Sequence, residues 1–333
     1  MTKLADSDQG SALVFENLSQ EELDDILADY RTREDKSSLA QLVQSVKAAL
    51  RPEDLAKTRL VLAGDLVAAV NAREDRPGNA YTMERGGGIV AAKTMPPNAD
   101  GVVDILVPIY WLLSTEDRGA REERDRYIQH VAAHEAVHAS IFHDGKDAFD
   151  VHRRRDYGNA MVQFVSMAAH QVEEHLAEYL ANRTELTPAI MTVEQLSASF
   201  RAWDQIIEEE LPAVSRTDPN YFQKCMMMTL TALHDLWKVL SYYAAELRDD
   251  DDSFSHVPAE IADLSFWREE VARWWGEYTA LLAQIPMSIP VDVSATDQVV
   301  DKIARLLQRW AMEIGVDHHD IPQGPWFQMT RAG

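Results

Sequence analysis

The chain has a single cysteine, Cys225, so no intramolecular disulfide can close. That usage suits a reducing compartment. It also lacks any apolar run near the roughly 20 residues that a membrane-spanning helix needs. Its opening residues, MTKLADSDQGSALVFENLSQ, lack the charged-then-apolar order of a secretory signal. Cationic residues are scarce as well: 32 Lys and Arg stand against 55 Asp and Glu, a formal charge of −23. A chain this acidic is repelled by phosphate backbones and by anionic lipid. Together these scarcities predict a cytoplasmic protein that binds neither nucleic acid nor membrane. The one basic cluster, HRRRDYG from His152, is short, is interrupted by Asp156, and reads as a solvated loop.

What the sequence does have is helical period and enough apolar mass, 46% of 333 residues, for one large domain or two packed subdomains. Residues 1–75 read as an N-terminal helical region. Ser19 followed by Glu22 has the spacing of a capping box, and SSLAQLVQSVKAALRPEDLAKTRL and VLAGDLVAAVNARE continue the helical pattern. Pro and Gly in DRPGNA, residues 75–80, break it. Extended runs follow around Gly86 to Gly88, and VVDILVPIYWLL reads as a strand. No GK[ST] follows the glycines, so they suit a tight bend better than a phosphate loop.

From Thr115, a candidate helix cap, the pattern is helical almost to the end. Met226 to Met228 and Trp267, Trp274 and Trp275 read as core, and Asp317–Asp320, DHHD, as a surface turn. The expected fold class is α+β and mostly helical. A small twisted sheet from residues 80 to 113 should pack on one long helix in a region spanning 76–190, and residues 191–333 should form a C-terminal helical region packed on that core.

The chemistry concentrates in HVAAHEAVHASIF. At 100° per residue, His134 and His138 lie about 40° apart on one helix face, where two neutral imidazoles can hold one divalent metal. Glu135 is about 100° round from His134, beside such a metal rather than on it, where it can act as general base on a metal-activated water. A catalytic zinc takes three protein ligands and keeps one position open. A second predicted helix offers candidates for the third in HQVEEHLAEYLA: Glu173, Glu174, His175 and Glu178. His130 and His170 extend the two stripes, and each reads more simply as a supporting or core histidine. His175 is about 100° from Glu174, so the two do not easily share one metal.

His134-Glu135-x-x-His138, followed on a second helix by Glu174-x-x-Ala177-Glu178-x-x-Ala181, resembles the gluzincin metallopeptidases. It is most similar to those with an E-x-x-A-D/N-x-x-A second motif, the M48-like and ImmA/IrrE-like zinc peptidases, over residues 80 to 185. The resemblance implies a zincin-like core with zinc as cofactor, His134, His138 and Glu174 as its ligands, and Glu135 as general base. It implies that Glu178 supports a ligand histidine from behind. This chain has Glu at 178 where those families usually have Asp or Asn, a reach longer by one methylene. Glu173 stays the rival to Glu174.

The implied activity is hydrolysis of a peptide bond in a peptide or protein substrate. The donor to the developing oxyanion stays open among His152, Tyr157 and His234, with Tyr242 and Tyr243 behind them. Two other readings compete: a metal-binding scaffold or binding protein on an inactive zincin core, and a helical non-haem iron oxidase. A ferritin-type di-iron site needs a second Glu-x-x-His, which the downstream helices lack.

Overall fold

The stretch TRLVLA, Thr58–Ala63, forms the middle strand of a five-stranded sheet. The computed structural model describes residues 3–4, 12–74, 81–85, 88–89, 91–113, 118–144, 149–183, 191–249, 251 and 253–330. The break expected at 75–80, the bend at Gly86 and Gly87 and the cap expected at Thr115 lie outside the described residues. Among the described residues there are two compact units, one within 1–84, 89–145 and 180–190, the other within 85–88, 146–179 and 191–333.

The first unit runs β1 (Lys3–Leu4), β2 (Ala12–Glu16), α1 (Gln20–Arg33), α2 (Ser38–Ala49), α3 (Pro52–Leu55), β3 (Thr58–Ala63) and α4 (Leu66–Asn71). A separate two-stranded ladder, β4 (Glu84–Arg85) with β5 (Gly88–Ile89), comes next in the chain. β6 (Lys93–Thr94), β7 (Val103–Pro108) and α5 (Arg118–His143) complete the first unit. Strand order is β1-β2-β3-β7-β6: β2, β3 and β7 are parallel, and the short β1 and β6 pair antiparallel at the edges.

The expectation that the sheet lies wholly within residues 80–113 is therefore corrected. β2 and β3 come from residues 1–75, the segment read as a helical region. The physical reason is visible in β3, whose side chains are buried on both faces, so that it reads as a near-continuous apolar run with no period of two. Leu60 and Leu62 pack with Leu42 and Val46 of α2 and with Ile128, Ala132 and Ala136 of α5. Val61 and Ala63 point to the opposite face, with Leu66, Ala69 and Val70 of α4. The capping box forms as read: Ser19 accepts from the Glu22 backbone N–H, and the Glu22 carboxylate accepts from the Ser19 N–H. Ser38 Oγ donates to buried Asp125 at 2.6 Å, tying the start of α2 to α5.

The second unit contains α6 (Val151–Arg154), α7 (Asn159–Asn182) without its last turn, α8 (Val193–Gln205), α9 (Leu211–Ala213), α10 (Tyr221–Leu247), α11 (Ala259–Ala262), α12 (Ala272–Leu282) and α13 (Val293–Glu313), then the hairpin β8 (Val316–Ile321) and β9 (Gly324–Met329). Its core is aromatic. Trp237 meets Tyr278 at 4.8 Å and Trp310 at 5.4 Å between ring centres, and Trp267 meets Trp275 at 5.0 Å. Trp267 and Trp275 also meet Tyr243 of α10, at 6.0 and 5.8 Å, and so hold helices together.

Two local expectations fail here. Met227 is exposed, because the first turns of α10 present that side to solvent. Asp317–Asp320 is not a turn but lies in β8, where His318 is fully buried. Asp320 reaches back to α7, accepting from the Ala160 N–H at 3.1 Å, and the same carboxylate fills the space where a Cβ on Gly158 would stand. It acts as the cap of α7 from a distant point in the chain. The whole is mostly helical with one small mixed sheet, an α+β chain. No helix among the described residues is long and apolar enough to cross a membrane.

Candidate metal centre

The faces of α5 are set by its sequence. Ile128, Ala132, Ala136 and Ala139 form the row that faces the sheet, and small side chains there let helix and sheet approach closely. His134 and His138 follow Ala132 and Ala136 by two residues, about 200° round the helix, and so point away from that row. Glu135 lies between the two faces. It is about 60° from Ala132, close enough to the sheet side to reach the edge strand.

That reach is realised. Thr94 of β6 donates to Glu135 Oε2 from its backbone N–H and from its Oγ1, each at 2.6 Å. The same hydroxyl lies 2.8 Å from the Glu135 carbonyl. Thr94 is buried, so the carboxylate is held from one side by a residue that itself has little freedom.

The two ligand-type histidines meet at their outer nitrogens, Nε2 to Nε2, at 3.1 Å, with ring planes at 68°. Tetrahedral zinc with bonds of about 2.0–2.1 Å places two nitrogens about 3.3 Å apart. The observed spacing fits two lone pairs directed at one cation. His134, His138 and Glu174 are all buried, and one ligand-type atom from each lies within 4.8 Å of the others. This donor set, two imidazoles and a carboxylate, can hold a metal ion, and its chemistry suits zinc and also iron, cobalt or manganese.

Glu174 sits on α7 among donors of its own unit. Its Oε1 is 3.0 Å from His170 Nε2 and 2.7 Å from Lys238 Nζ, and its Oε2 accepts from the Tyr242 hydroxyl at 2.7 Å. His170 precedes Glu174 by one helical turn. His234, Lys238 and Tyr242 recur every fourth residue along α10 and so share one face. His234 closes the row by stacking on His170 at 5.0 Å. Such contacts fix the orientation of a ligating carboxylate. Lys238 escaped the sequence reading, Tyr242 stood only among the open donors, and His170 was read as supporting. The four-residue spacing on α10 was the available signal.

The other expected residues are placed as follows. Glu173 and Glu178 are buried on α7, and the charge of Glu178 acts on His175. His175 is fully buried, within 3.1 Å of the Ser241 carbonyl through Nδ1, and burial pushes its pKa down to about 3. Its other nitrogen faces Arg248 at 3.3 Å, so it belongs to the interior of its own unit and not to the ligand group. His130 is buried on α5. Of the oxyanion candidates, His234 lies in the row beside Glu174 through His170. Tyr157 has its pKa raised by burial and by the Asp301 carboxylate, and Asp301 and Arg155 are its charged neighbours. His152 is half-buried on α6.

No family model, no curated protein and no solved structure matches this chain.

Proposed function

We propose that this chain is a zinc-dependent metallopeptidase of gluzincin type with a zincin-like core. One observation carries the reading: buried His134, His138 and Glu174 gather one ligand-type atom each within 4.8 Å, beside a glutamate that is not part of the ligand group. A site built only to hold a metal needs ligands but no adjacent general base. When bound, zinc supplies Lewis acidity toward a carbonyl and a water acidic enough to react near neutral pH. His134, His138 and Glu174 would hold it.

The remaining roles fall to the chain's own residues. With Oε2 held by Thr94, Glu135 turns Oε1 to the attacking water, accepts its proton there and passes it to the departing amine. Tyr242, which donates to Glu174 Oε2, and His234, on the same face of α10 and stacked on His170, are the first candidates to test as partners of the oxyanion. The substrate class is a peptide or protein.

The test is exposure of zinc-loaded protein to a mixed peptide library, with products read by mass spectrometry. Peptidase action yields paired fragments that gain one water, and Glu135→Gln abolishes them while retaining zinc. A library left intact by metal-loaded wild type contradicts the reading. The donor set also favours a second reading, because two histidines and one carboxylate form the triad of non-haem iron oxygenases. Stoichiometric iron in protein purified without added metal would favour it.

A further inference from the structure

Three nitrogen or hydroxyl donors crowd one carboxylate. Lys238 and Tyr242 come from one face of α10 and His170 comes from α7, with His234 of that same α10 face stacked on the His170 ring. Glu174 needs fewer to be oriented. Lys238 stands out within the group. Its ammonium carries three N–H donors, and its contacts are Glu174 Oε1 at 2.7 Å and the Tyr242 ring at 5.6 Å from Nζ to centroid. Its side chain is 31% exposed and that of His170 35%, against 5% for Glu174. A buried ligand thus has a cationic rim that solvent reaches.

The rim is chemically distinct from its surroundings. The chain carries a charge of −23, so its general field disfavours anions. A lysine at the edge of the metal ligands reverses that preference at one point. An ammonium is a compact charge with rotatable donors, suited to a full anion at close range more than to a neutral carbonyl.

We propose that Lys238, assisted by His170, forms an anion subsite beside the metal ligands and selects substrates that present a carboxylate near the bond to be cut. The proposal rests on the peptidase reading above. The carboxylate has two sources in a peptide, the C-terminal α-carboxylate and an Asp or Glu side chain, and both offer the same chemistry to Nζ. Lys238 is here a specificity residue: it acts on where the substrate docks, while Glu135 moves the proton.

The test measures binding rather than turnover. Full-length Glu135→Gln protein is loaded with one equivalent of zinc and checked by elemental analysis. It is then titrated calorimetrically with acetyl-Ala-Ala-Ala, with its C-terminal amide, and with acetyl-Ala-Asp-Ala amide. One or both carboxylate-bearing peptides should bind about 10- to 100-fold more tightly than the neutral amide, the range of a charge-assisted hydrogen bond. Which of them does so identifies the source. Lys238→Met in the same background, loaded to the same zinc content by elemental analysis, should erase the preference, and Lys238→Arg should restore most of it.

Equal binding of all three peptides, no binding by any of them, or a preference that survives Lys238→Met overturns the subsite while leaving the metal site intact. Failure of the parent protein to hold zinc overturns the peptidase reading, and the subsite with it. The two failures are therefore read on different instruments.

Discussion

Thr94 and Glu135 are 41 residues apart in sequence, yet the backbone N–H and the hydroxyl of Thr94 both lie 2.6 Å from a single oxygen of the Glu135 carboxylate. The backbone bond would survive any side-chain change, so the hydroxyl can be tested alone. Thr94→Val keeps the shape and the N–H and removes one donor. The hydrolysis proposed above should fall roughly tenfold in kcat, with KM and zinc content unchanged, since a general base contributes about 10²–10⁴-fold and loses only part of its alignment. Thr94→Ser should recover most of the rate. An equal loss in Thr94→Ser and Thr94→Val would show that the hydroxyl does not position the base.

Gly158 and Asp320 form a second long-range pair. A Cβ on Gly158 would stand 2.1 Å from Asp320 Oδ2, the carboxylate that caps α7 through the Ala160 N–H. Gly158→Ala should destabilise the protein by about 1–3 kcal/mol, and Asp320→Ala by about 1 kcal/mol through loss of the cap. The double variant should cost clearly less than the sum, because the clash vanishes with the carboxylate. Urea denaturation of the three variants measures this, and strict additivity would refute it.

Buried Arg248 donates to the carbonyls of Leu282 and Ile285, each at 3.0 Å, and lies over the Tyr179 ring. It satisfies backbone acceptors at and just beyond the end of α12. Arg248→Met should cost roughly 1–3 kcal/mol, because the Ile285 carbonyl loses its Arg248 donor and the Leu282 carbonyl keeps only the Ile285 backbone N–H. The loss should appear as a lower urea midpoint with an unchanged slope.

His318 gives the pH dependence a sign. Burial, the largest effect, pushes its imidazole below the ordinary histidine range, while the Asp320 and Asp317 carboxylates pull the other way. The unfolded chain then takes up a proton at about pH 6.5, before the folded chain does. Stability supplied by the neutral buried ring is complete above that pH and is lost as the pH falls below it. His318→Gln lacks this loss, so the stability gap between wild type and variant should narrow from pH 7 to pH 5. A gap that stays constant across that interval contradicts the assignment.

The parts of this site that local sequence determines were legible. His134, Glu135 and His138 follow from the period of one helix, and the pairing with Glu174 came from a second motif of the same kind. Ser19 and Glu22 announced their cap because the capping box is a contact within four residues. Ala12–Glu16 and Thr58–Ala63 were missed for a physical reason: parallel strands covered on both faces carry no alternation, and the one local signal, Gly64 and Asp65 directly after TRLVLA, marks an end without saying of what. Thr94 sits in a two-residue strand, too short for any pattern. Lys238 and Tyr242 were visible as a four-residue repeat on α10, but only the tertiary structure shows that the repeat faces Glu174.

The central claim is that His134, His138 and Glu174 bind one metal ion while Glu135 does not. Elemental analysis of purified wild type, Glu135→Gln and Glu174→Ala, each dialysed against zinc and then against buffer, tests it most directly. Zinc near one per chain in wild type and Glu135→Gln, and lost from Glu174→Ala, is the predicted result. Wild-type protein that retains no metal after that treatment, or Glu174→Ala that retains as much as wild type, would contradict it.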